Sequence, residues 1–149
     1  GQRRVLGEEH KKTLDSLNNM GVILAMMKDY GEALSYYQQV KRVGEKVIGK
    51  SHPDTLGTIM NMAAVYGDGL GDKVKEEEMY MLALDGYERS LGKEHEDTKR
   101  CARNMAIFLC WKLRSKEKTQ AHIKEYPALL KDSGGLERQF QEHLRNFIN

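Results

Sequence analysis

Proline, cysteine and aromatic residues are all scarce in this 149-residue chain, and each shortage narrows what it can be. With two prolines and no long Gly/Ser tract, the composition argues against disorder. No run approaches the ~18 apolar residues that a membrane span needs, and no secretory apolar segment precedes the first motif. Neither sign of charge dominates: 24 Lys and Arg against 22 Asp and Glu leave a formal net charge of +2. A general polyanion binder, and with it a nucleic-acid binder, is therefore not implied. The two cysteines, Cys101 and Cys110, fall in one predicted helix about two and a half turns apart and cannot bridge within it. They read as reduced thiols of an intracellular, cytoplasmic protein. The signatures of catalysis and cofactor binding are missing as well. There is no Cys-x-x-Cys, Gly-x-Gly-x-x-Gly, Gly-x-Ser-x-Gly or P-loop. The expectation is a non-enzymatic protein with no cofactor.

What the chain does contain is a repeat. Ile48-Gly49-Lys50-Ser51-His52-Pro53-Asp54-Thr55-Leu56 has an earlier copy at Leu6–Leu14 and a later one at Leu91–Lys99. His10, His52 and His95 are spaced 42 and 43 residues apart. Asn19, Asn61 and Asn104 keep the same offsets, within Leu17–Gly21, Ile59–Ala63 and Ala102–Ala106. A fixed period in this range means stacked supersecondary units. The three histidines do not form a metal site: adjacent helix pairs lie ~10 Å apart, whereas a zinc ion needs its ligands at ~2 Å.

Within each period the apolar spacing predicts two helices. Residues 1–7 align with the end of a helix and read as the close of a preceding repeat, so the chain is expected to be a piece of a longer array. Residues 8–49 form repeat one. Its first helix starts near His10, the turn is Lys28-Asp29-Tyr30-Gly31 with the glycine taking positive φ, and the second helix ends at Gly49. Residues 50–92 form repeat two. Ser51 is the expected cap, and Pro53 and Asp54 suit a first turn. The glycine-rich turn Gly67–Asp72 takes up the one extra residue; it lacks the ligand spacing of a calcium loop. Residues 93–126 form repeat three, whose second helix is short and polar and stops at Pro127. Residues 127–149 form a linker, broken at Gly134-Gly135, and a last helix. In that helix Leu136, Phe140, Leu144, Phe147 and Ile148 make an apolar stripe, opposite Glu137, Arg138, Gln141, Glu142 and Arg145. This helix fits an end cap, with dimerisation as the alternative.

Leu17, Met20-Gly21, Leu24, Ala33, Tyr37 and Val40, with Ile59, Met62-Ala63, Tyr66, Tyr80 and Ala83, resemble the tetratricopeptide repeat. The added Leu/Ile-Gly-x-x-His before each first helix is similar to the long repeat of kinesin light chains and nephrocystin-3-like proteins. At the first alanine of the second helix, repeat two departs from the pattern with Glu76. The resemblance implies an all-α right-handed superhelix, an α-solenoid of about three helix-turn-helix repeats plus a C-terminal capping helix. First helices would line its concave side.

On that side the resemblance places Asp15, Asn18, Asn19, Val22 and Met26 from repeat one and Met60, Asn61, Ala64 and Asp68 from repeat two. Repeat three adds Arg100, Arg103, Asn104, Ile107 and Trp111. An asparagine amide both donates and accepts, so Asn19, Asn61 and Asn104 would hold the backbone of an extended or short helical peptide. Arg100 and Arg103 suit an acidic side chain of that peptide. Met26, Met60 and Trp111 offer adaptable apolar contact, although Trp111 also fits a place beneath the last helix. The expected function is a protein-interaction module resembling an adaptor scaffold, monomeric or part of a larger chain or complex. The alternative is a fixed structural subunit that docks through its convex face or last helix.

Overall fold

The computed structural model describes residues 2–131 and 135–149, with side chains from His10 onward; Gly134 lies outside the described residues. All regular structure among the described residues is helical. The α-helices are α1 (Gln2–Met26), α2 (Tyr30–Val47), α3 (Pro53–Ala64), α4 (Lys73–Leu91), α5 (Glu96–Ile107), α6 (Lys116–Glu125) and α7 (Arg138–Ile148). Two compact units divide the chain at residues 90 and 91. No helix among the described residues is long and apolar enough to cross a membrane.

In the first unit α1, α2 and α3 pack around Ala33, Leu34, Tyr37, Met62 and Val65, with Val22, Leu24 and Tyr30 against their edge. Gly21 lies beneath the ring of Tyr37: a β-carbon there would come within 2.6 Å of it. Glu76, 1 % exposed, takes the place that Ala33 holds in α2. The space for it comes from Gly67, where a β-carbon would sit 2.2 Å from the Glu76 carboxyl carbon. Repeat two sets a glycine beside a glutamate. The larger side chain at Glu76 thus fits because the facing position carries none.

Several local expectations are corrected. The backbone runs on as one helix from Gln2 to Met26, with no end at Gly7 and no new start near His10. Repeats two and three follow the histidine with Pro53-Asp54 and Glu96-Asp97, but repeat one follows it with Lys11-Lys12. It therefore has neither the proline nor the carboxylate that favour a helix start, and nothing there interrupts α1. The cap of α3 is His52, not Ser51. Pro53 occupies the first helical position, which leaves His52 at the boundary. The His52 Nδ1 accepts from the Asp54 N–H at 3.1 Å, and the His95 Nδ1 accepts from the Asp97 N–H at 3.1 Å.

The turn between α1 and α2 pivots on Lys28, at φ 64°, while Gly31 lies inside α2. Gly71 and Arg114 hold the same left-handed place one and two repeats on. The extra residue of the longer repeats is absorbed earlier than the Gly67–Asp72 turn. It enters within π-helical turns at Val65–Gly69 and Phe108–Lys112, where the Leu70 and Leu113 N–H groups reach five residues back. A π turn accepts one residue without ending the helix.

In the second unit α7 lies against α6 and the 3-10 turn Pro127–Leu130, burying Phe140 and Leu144. Gln141 belongs to the buried side and not to the polar face. Its Nε2 donates to the Lys131 and Leu136 carbonyls at 3.0 Å each, tying the connector to the helix. The buried His122 ring meets the Ala102 carbonyl through Nε2 at 2.8 Å. Cys101 and Cys110 are both buried thiols, and burial pushes the Cys110 thiol up.

Candidate functional site

A helix returns to the same face every three or four residues. By that rule α1 turns Asn18, Val22 and Met26 to one side, and α3 turns Asn61 and Ala64 alongside them. Between these two helices the first unit carries two notches. The first, about 310 Å³, has Asp15 and Asn18 on one wall and Asp54, Thr58 and Asn61 on the other, with Gly44 of α2 at its floor. The second, about 300 Å³, is lined by Val22, Ala25, Met26, Tyr30, Ala64 and Val65, with Asp68 beside them. Asn61 borders both.

The polar contacts at this junction differ from a simple ladder of asparagines. The Asn18 Oδ1 accepts from the Thr58 hydroxyl at 2.9 Å and from the Asn61 Nδ2 at 3.4 Å. Asn18 thus ties α1 to α3, and Asn61 keeps its own carbonyl oxygen for another donor. Asn19 is exposed and borders neither notch; Met60 is half-buried and also outside both linings. One step along a helix turns a side chain by about 100°, enough to separate Asn19 from Asn18. Of the residues expected on this side in repeats one and two, Asp15, Asn18, Val22, Met26, Asn61, Ala64 and Asp68 line the two notches. Asp54, Thr55, Thr58 and Tyr30 join them without having been expected. The period offers no signal for Thr58, because its partner Asn18 stands at a different repeat position.

In the second unit Arg100 is held by the Asp97 carboxylate at 2.9 Å, one turn back in α5. Arg103 is half-buried and lies against Gly135, where a β-carbon would be 2.9 Å from its guanidinium. Arg100, expected to receive an acidic side chain, thus forms an exposed ion pair within its own helix. Asn104 and Ile107 are half-buried. Trp111 is 55 % exposed and packs edge-on to Phe140 at 5.1 Å and to His143 at 5.7 Å. With Arg114 and Phe147 it borders a notch of about 430 Å³ beside α7. No group of His, Cys, Asp and Glu among the described residues is arranged to hold a metal ion.

A tetratricopeptide repeat family model matches residues 2–46 and 12–88. Among known proteins, the chain is 28% identical over 115 residues to Protein KINESIN LIGHT CHAIN-RELATED 2 of Arabidopsis thaliana. That alignment takes in 77% of this chain but only 16% of the plant protein.

Proposed function

The chain belongs to the tetratricopeptide-repeat family, with a long repeat of the kinesin light chain type, and from that premise we propose a peptide-binding function for its first unit. The family is one of protein-interaction scaffolds. The working surface in this reading is the α1–α3 face, which takes a short extended segment of another protein. The observation that carries it is the pair of notches meeting at Asn61, one polar and one apolar. An extended backbone laid along the face meets the Asn61 amide, and neighbouring side chains drop into the notches on either side. Backbone contacts of this kind supply affinity, and the notches supply selection.

Selecting peptides from a displayed random library against the whole chain tests the reading. Asn61→Leu is expected to lower the affinity of selected peptides by about tenfold, the loss of a hydrogen bond plus a desolvated backbone group. Unchanged affinity in Asn61→Leu, with the helical signal intact, would remove the α1–α3 face from consideration.

A second reading is favoured by Trp111, whose exposed ring stands beside His143 and Phe147. In it the protein docks as a fixed subunit through the α7 side of its second unit. Trp111→Ala separates the two: it is expected to abolish docking through α7 and to leave peptide affinity at the α1–α3 face unchanged.

A further inference from the structure

We propose that the outward stripe of α1, made by Thr13, Met20, Ile23 and Met27, docks a helix of α2's kind supplied by a separate protein chain. This surface is distinct from the α1–α3 face, since none of its four residues lines either notch.

Side chains spaced by three, four or seven residues share one side of a helix, as these four do on α1. Met20, Ile23 and Met27 are 43 %, 51 % and 71 % exposed there. Large apolar side chains grouped in water on one stripe mark a contact surface. Methionines suit such a surface because they adapt to the shape of a partner.

Repeat two shows what such a stripe meets. One period on, Thr13, Met20 and Ile23 correspond to Thr55, Met62 and Val65, the same kind of side chain at each place. All three counterparts are buried, Val65 at 4 % exposed against 51 % for Ile23. The helix packed on them is α2. Its Gly44 stands against the Thr55 side chain, while its Ala33, Leu34 and Tyr37 share one core with Met62 and Val65. The late residue of α2 thus meets the start of α3 and the early ones its end, so the two helices run antiparallel. On α1 the same residue types stand on a side that no described helix covers.

The backbone decides where the covering helix comes from. Between α2 and α3 the chain turns at residues 48–52, with Gly49 at φ 104°. The corresponding residues 6–10 lie inside α1, which is continuous from Gln2. No turn there folds the preceding residues back onto the stripe, so the helix is assigned to another chain. The α2 of a second copy is not free to serve, being packed between its own α1 and α3. The partner therefore carries an amphipathic helix with a leucine and, ten positions later, a glycine, as Leu34 and Gly44 stand in α2.

The probe is a blocked synthetic copy of residues 29–49, held helical by a lactam bridge between positions 38 and 42, both exposed in α2. Its binding to the whole chain is read by fluorescence anisotropy. A Met20→Glu, Ile23→Glu double variant of the chain is expected to bind it about tenfold more weakly or worse, because docking would bury two unpaired carboxylates. Leu34→Glu in the peptide should weaken binding to the parent chain as much. Both substituted positions of the chain are exposed, so its helical signal should be kept; should it be lost, the peptide variant decides. No binding of the peptide, or equal binding by the variants, would overturn the proposal. Sedimentation of the chain alone supplies the remaining outcome. Self-association abolished by Met20→Glu with Ile23→Glu would overturn a foreign helix in favour of a second copy.

Discussion

Gly21 and Gly57 are both helical glycines, and the structure assigns them opposite tolerances. Gly21 touches the buried Tyr37 ring, whereas a β-carbon at Gly57 in α3 meets nothing within 4 Å. Gly21→Ala is therefore expected to cost ~1–3 kcal/mol through overpacking. Gly57→Ala is expected to stabilise by ~0.5–1 kcal/mol, since alanine loses less backbone entropy in a helix. Urea unfolding of the two variants reads both, and a shift of the same sign in each would refute the assignment. Glu76 teaches the same lesson in reverse: a residue that breaks the repeat pattern fits because Gly67 across the turn has no side chain to meet it.

At the scale of the element, three copies of one motif give two kinds of helix start. His52 and His95 each accept a backbone proton at the second helical position, and both sit before carboxylates that favour the positive end of the helix dipole. His10 is exposed inside the continuous α1. His52→Ala and His95→Ala are each expected to lose ~1 kcal/mol, the usual worth of a cap. His10→Ala should fall within ~0.5 kcal/mol of the parent. Thermal unfolding followed by circular dichroism distinguishes these outcomes, and equal losses at all three would mean that the capping geometry has no energetic weight. The π turns belong to this scale too: one added residue bulges the end of the first helix and leaves the left-handed pivot at Gly71 and Arg114 in place.

For the molecule as a whole, identical repeat positions carry different energies because their surroundings differ. Met62 of α3 is 3 % exposed inside the core that α2 completes, while Met20, its counterpart 42 residues earlier, is 43 % exposed. Met62→Ala is expected to cost ~2–5 kcal/mol by loss of buried surface and the cavity left behind. Met20→Ala should cost under ~1 kcal/mol. Denaturant unfolding of the pair checks this, and a loss at Met20 as large as at Met62 would show that its surface is covered in solution.

Read in order, the residues foretell much of this. Leu17, Met20 and Leu24 announce the first helix by their spacing, and the recurring Gly-x-x-His announces the period, because local backbone preference and apolar periodicity are written into neighbouring positions. Helical spacing also puts Asn18 and Val22 on one side of α1, as the structure has them. What lay beyond reach depends on contacts between positions far apart in the chain. The Asn18–Thr58 bond, the Gly67 space filled by Glu76, the capture of Arg100 by Asp97 and the buried Gln141 are all decided by which side chain arrives opposite which. The sequence by itself determined the helices, their period and the family. Only the packed structure determined which amides, carboxylates and hydroxyls share a notch, since a difference of one residue along a helix turns a side chain by about 100° and chooses its neighbours.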